Sequence, residues 1–150
     1  MSRRIAITAV MLLAATACTT TSSSSDSKPS PSPSSTGLAA EWGPKLQQAT
    51  TADTGICNAV GDHACAEHLT DIALTVSDLE SAVTDAGGQS VYPQTTALIE
   101  KNDTAVAAYT DHECLGDDNA GIPGSPCPDD VQTILSTAAA LPLALQADET

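Results

Sequence analysis

Four cysteines between residues 57 and 127, with a fifth far upstream at Cys18, constrain this chain more than any other feature. An even set of thiols within one small domain can close into disulfides, and an odd one needs a separate explanation. Cys57, Cys65, Cys114 and Cys127 form the even set. Cys18 is the odd one, and its surroundings account for it.

Met1-Ser2-Arg3-Arg4 is a short basic segment, Ile5–Ala14 is apolar, and Ala15-Thr16-Ala17 supplies small residues just before Cys18. This is the layout of an export signal. Its apolar stretch is too short for a permanent membrane span, which takes about 20 residues. Two processing routes compete for the site. Ala15-Thr16-Ala17 satisfies the rule for ordinary secretion, which would release a protein beginning with a free thiol. The same residues fit a lipobox, in which the cysteine after the cut is acylated, although Ala15 stands where leucine is usual. Cys18 directly at the cut, the odd cysteine count and the tether-like segment that follows favour lipidation; an exposed free thiol would invite stray disulfides. Arg3-Arg4 also touches the twin-arginine export pattern, but Ala6 stands where that pattern has a bulky apolar residue.

Residues 18–37 are then the lipidated cysteine and a Ser/Thr/Pro linker with nothing to bury, so ordering it would cost entropy without return. As a random coil it spans roughly 25 Å, more where Pro-Ser alternation stiffens it. The composition changes at Leu38, and residues 38–150 read as one helical domain. Within it, Cys65, Leu69, Ile72, Val76, Leu79, Val83 and Ala86 recur at alternating spacings of four and three, an unbroken stripe on one helix face. Asp62 is placed to cap it and Gly87-Gly88 to stop it. Leu38, Trp42, Leu46 and Ala49 mark a first helix, with Pro44 an alternative first residue of its regular part. Pro93 opens a third, with Leu98, Asn102, Ala105 and Tyr109 along its stripe. Ile99 and Val106 flank them, which puts Asn102 near the edge. Pro128-Asp129-Asp130 opens a fourth, carried on by Val131, Leu135, Ala138, Leu141 and Leu145, with Pro142 expected to bend or end it.

Four such helices predict an all-α fold, an antiparallel four-helix bundle stapled by two disulfides. Up-down threading brings the end of the first helix, the start of the second, the end of the third and the start of the fourth to one pole, where all four cysteines lie. Connectivity is not readable from sequence. Cys57–Cys65 with Cys114–Cys127 closes the shortest loops and is preferred to the crossed pairings. A zinc site is the rival for four thiols, but no C-x-x-C pair occurs and the compartment is oxidising.

Once residues 1–17 leave with both arginines, three lysines oppose nineteen acids. That balance and the near absence of aromatics exclude nucleic-acid binding, and membrane attachment must come from acyl chains rather than a basic surface. His63, His68 and His112 all map near the cysteine pole, amid acids, and are the candidates for a metal or proton-transfer site. Five residues separate His63 from His68, so one helix face does not present both; His112 also suits a helix C-terminus. Asp117-Asp118-Asn119 starts like a calcium loop, but Gly121 and Pro128 occupy ligand positions, so a turn-rich loop is expected. Trp42 with Tyr92 or Tyr109 is a candidate pocket lining. No nucleophile elbow, zinc-protease or phosphate-loop motif is present.

Arg3-Arg4, the Cys18 lipobox, the Ser/Pro tether, Trp42-Gly43-Pro44-Lys45-Leu46, Cys65-Ala66-Glu67-His68-Leu69-Thr70-Asp71 and Tyr92-Pro93 together resemble small actinobacterial membrane-anchored lipoproteins. The resemblance implies export and anchoring at the outer face of the cell membrane and brings no activity. The expectation is a non-catalytic binding or interaction module of the envelope with no cofactor and a protein or small-ligand partner; a metal-dependent role for the histidine pole is the alternative.

Overall fold

The 4-3 stripe of the second helix is the backbone of the fold. In the computed structural model, which describes residues 37–51 and 55–150, α2 runs His63–Asp85. It buries Cys65, Leu69, Ile72, Val76, Leu79 and Val83, and His68 joins them. Asp62 stands at the N-cap in extended conformation, without a side-chain cap bond. The helix ends at Asp85, and Ala86, the last residue expected on its stripe, is its exposed C-cap. The chain then turns through Gly87 at φ 117°, a left-handed value that glycine adopts without steric cost.

The other helices are α1 (Leu38–Thr50), α3 (Pro93–Asp111) and α4 (Cys127–Asp148), with a single 3₁₀ turn at Gly88–Ser90. Among the described residues there is no strand. All belong to one compact unit, Ser35–Thr150. The export signal, Cys18 and the linker up to residue 36 lie outside the described residues.

Three expectations are corrected. Pro44 is not a helix start, because α1 runs through it. The carbonyl it deprives of a partner, that of Ala40, is on the exposed face where water can serve it. Trp42 and Leu46 are both buried, which they achieve together only in a helix that begins before Pro44. Likewise Pro142 does not end α4, which continues six residues to Asp148. Leu141, Ala144 and Leu145 are buried on either side of it, so packing outweighs one lost hydrogen bond.

Asn102 is the third correction. It is fully buried at the heart of the α3 stripe rather than at its edge. The stripe is rotated toward Thr95, Ile99, Asn102, Ala105 and Tyr109, leaving Leu98 half-buried. Asn102 Nδ2 donates to the Ile134 carbonyl at 3.0 Å and to Thr137 Oγ1 at 2.8 Å, which pins α3 to α4 at mid-length.

The cysteines pair as Cys57–Cys65 and Cys114–Cys127, with Cα atoms 4.7 and 5.6 Å apart. Both bridges meet at one end of the unit. There the Gly116 N–H donates to the Gly61 carbonyl at 2.9 Å, and Tyr109 Oη donates to the Val60 carbonyl at 2.8 Å. At the other end, carboxylates of the last residues serve two helix starts. Glu149 accepts from the Ala39 N–H, while Asp148 accepts from Gln94 and Thr95. Each supplies an acceptor to N–H groups that have no partner within their own helix.

Candidate functional site

A groove of about 540 Å³ lies between α2 and α3. Its position follows from side-chain size: α2 faces it with Ala66 and Ala73, α3 with Val106, and none of these fills the space. Leu69, Tyr109 and Ile134, all buried, form its floor. Thr70 and Thr110 line it as well, but their hydroxyls donate to the Ala66 and Val106 carbonyls of their own helices. The Tyr109 hydroxyl is likewise committed, to Val60. The groove is therefore largely apolar, with the Ser77 hydroxyl as a further polar group in its lining.

Its rim is not. Leu74 is 61% exposed and Leu115 48%, two large apolar side chains held in water at the groove's edge. Asp103 and Glu113 stand with them, and neither makes an ion pair or side-chain hydrogen bond among the described residues. Burial pushes the Asp103 carboxyl above the usual carboxylate range, with no neighbouring cation to bring it back. Glu113 is the one non-glycine described residue with positive φ, at 54°. It starts the loop that closes the groove at the Cys114 end.

The residues singled out from sequence do not assemble into one centre. His63 is exposed in a shallow recess with Asp62, Asp117 and Asp118. His68 is buried beside Trp42 and Asp71 in a second groove, between α1 and α2. His112 is half-exposed, with Nδ1 2.6 Å from Asp130 Oδ2. His112, Asp130 and Cys114 are the one group of three potential metal ligands among the described residues, yet the Cys114 sulfur is already bonded to Cys127. Two ligands remain, fewer than a structural zinc site uses. Asp117 Oδ1 accepts from the Asn119 N–H at 2.9 Å, so this acidic run spends itself on a local turn.

The aromatics also separate. Trp42 lines the α1–α2 groove, with Lys45 Nζ 3.9 Å from its ring centroid, whereas Tyr109 floors the α2–α3 groove and Tyr92 lines neither. The α2–α3 groove itself went unrecognised in the sequence. Its signal was present: Leu74 lies off the α2 stripe between small residues, and Leu115 is a lone apolar residue in an acidic, glycine-rich loop.

No family model, no curated protein and no solved structure matches this chain.

Proposed function

We propose that this protein is an exported, lipid-anchored and non-catalytic binding module of the cell envelope, an antiparallel four-helix bundle carried on a Ser/Thr/Pro linker. The observation that carries the binding role is the α2–α3 groove, whose volume falls in the range of small-molecule sites and whose rim exposes Leu74 and Leu115. The anchoring half rests on Cys18. With the other four thiols paired in two bridges, it is the cysteine left over, and disulfides of this kind belong to oxidising, extracytoplasmic compartments. Acyl chains on Cys18 would hold the protein at the outer face of the membrane, and without them it would be secreted.

A metal-dependent role is the second reading, favoured by the close His112–Asp130 pair beside Cys114. It needs ligands from outside the described cluster.

Mass spectrometry of the processed protein tests the anchor. A diacylglyceryl group on Cys18, with Cys18→Ala shifting the protein from membrane to medium, is the expected result. An unmodified N-terminal thiol would refute it. Elemental analysis after equilibration with zinc, together with melting with and without chelator, decides the second reading.

A further inference from the structure

We infer that the end of α3 and the start of α4 form a redox-gated zinc site: with Cys114 and Cys127 as thiols, the two sulfurs, His112 and Asp130 take one Zn²⁺, and closing the bridge expels it. The inference rests on the metal-dependent reading, not on the groove or the lipid anchor. Cys127 is the ligand it adds from outside the three-residue cluster.

The ligand set comes first. His112, Cys114 and Asp130 each offer one ligand atom, and these atoms lie within 4.8 Å of one another. Around a tetrahedral zinc ion, sulfur, nitrogen and oxygen ligands stand roughly 3.3–3.8 Å apart, so shifts of about 1 Å complete the geometry. Cys127 is the fourth ligand. Its sulfur is bonded to that of Cys114 and the two Cα atoms are 5.6 Å apart, so parting the bond leaves both sulfurs at the site. Two thiolates, an imidazole and a carboxylate suit zinc rather than the all-oxygen ions calcium and magnesium. With the bridge closed, only His112 and Asp130 remain free to ligate.

The scaffold does not depend on the bridge. Residues 127 and 130 are three apart in the first turn of α4, hence on one helix face. Cys127 is the first residue of that helix, where the dipole favours a thiolate. Residues 112 and 114 are fixed by the turn that ends α3. There the Glu113 N–H donates to the Thr110 carbonyl at 3.0 Å and the Cys114 N–H to the Tyr109 carbonyl at 3.2 Å. The left-handed residue of such a turn is usually glycine; here it is Glu113, between the two ligands. Opening the sulfur–sulfur bond removes none of these main-chain bonds. Both sulfurs are buried, and half-exposed His112 is the side from which an ion enters.

Binding displaces the two thiol protons. Oxidation by a partner disulfide reverses it. The two sulfurs give up two electrons and join, the partner takes those electrons and two protons to become a dithiol, and Zn²⁺ leaves.

The test titrates the mature protein, phosphine-reduced and oxidised, with Zn²⁺ against a chromophoric chelator and with Co²⁺ as a spectroscopic probe. The reduced protein should bind one Zn²⁺ at least about 100-fold more tightly than the oxidised one, because only then are the thiolates available. Its Co²⁺ form should show sulfur-to-cobalt charge transfer and the strong visible bands of a tetrahedral ion. Zinc should slow alkylation of Cys114 and Cys127 but not of Cys57 and Cys65. Cys57→Ser/Cys65→Ser should keep the site, and Cys114→Ser/Cys127→Ser should lose it. His112→Ala and Asp130→Ala should each weaken binding by about tenfold or more and alter the Co²⁺ bands, since each removes one of four ligands. Circular dichroism follows the fold: helicity should persist on reduction or return when zinc is added. Indifference to both His112→Ala and Asp130→Ala would place the metal on thiols alone and overturn the site. Binding that survives Cys114→Ser/Cys127→Ser, or zinc protection of Cys57 and Cys65, would overturn it as well. Equal uptake by the oxidised protein would overturn the gating and leave the metal-dependent reading standing, whereas no uptake in either state would remove both.

Discussion

Asp148, at the last turn of α4, caps the start of α3 through Thr95: its Oδ2 accepts from both the backbone N–H and the hydroxyl of Thr95, each at 2.8 Å. Thr95 is fully buried, and no residue adjacent to it in sequence supplies this acceptor. A helix cap normally comes from the residue just before the helix; here it comes from 53 residues away. Replacing Asp148 by Ala should lower stability by about 2 kcal/mol, because it removes a cap and strands a buried hydroxyl. The urea midpoint should fall at unchanged m.

The same carboxylate sets one limb of the pH dependence. Burial alone would raise the Asp148 pKa, but hydrogen bonds from the Thr95 backbone and hydroxyl and from Gln94 outweigh it and hold the group below the usual range. The folded state then binds this proton less tightly than the unfolded one. Its contribution is full above the unfolded value, near about 4, and is lost as pH falls through the lower folded value. Asp103 has the opposite sign, since its folded pKa is raised: it favours folding at low pH and loses that advantage as pH rises. Denaturation across pH 2–7 should therefore show Asp148→Asn losing its deficit in acid, and Asp103→Asn gaining stability only toward neutrality.

Asn102 offers a sharper comparison. Its Oδ1 is buried without a hydrogen-bond partner, while Nδ2 holds α4. The Thr137 hydroxyl also donates to Thr133 at 2.7 Å, so it stays satisfied if Asn102 is removed. Asn102→Leu should accordingly fall within about 1 kcal/mol of wild type or above it. Asn102→Asp should cost about 3 kcal/mol or more at pH 7 and recover in acid, where the carboxyl is neutral. Thermal melts at pH 4 and pH 7 check both.

Gly61 is packed where no side chain fits. A Cβ there would lie 2.6 Å from the Asp117 carbonyl oxygen, a backbone atom that cannot rotate away. Gly61→Ala should cost about 1–3 kcal/mol and part the two disulfide loops. Faster hydrogen exchange at the Gly116 amide, which bonds to Gly61, would report that opening directly.

Removing either disulfide as a Cys→Ser pair should lower stability by about 2–3 kcal/mol through the unfolded chain. The bridges span 8 and 13 residues. Loop entropy grows only with the logarithm of length, so the two losses should differ by a few tenths of a kcal/mol. Unfolding curves of the two double variants make the comparison.

Much of this fold was readable from residue spacing. The α2 stripe and the glycine stop after it gave that helix almost to the residue, and Pro93 and Pro128 marked the starts of α3 and α4, within one residue in the latter case. The misreadings share one cause. Pro44, Pro142 and Asn102 each look like a local defect, and local propensity says nothing about tertiary partners that override it. The three candidate histidines stand apart for a related reason: residues can share a pole yet project from different sides of it. Leu74 and Leu115 signalled stray apolar surface, but the groove beside them is defined by what Ala66 and Ala73 do not fill, which depends on the separation of two helices rather than on either one.

Each sulfur bridge joins two thiols that are consecutive along the folded domain. If the chain is exported amino end first and Cys18 is capped by acylation, an oxidase would meet Cys57 and then Cys65 before the next pair appears. Correct bonds would arise by order of arrival alone, with no need for an isomerase to shuffle mispaired partners.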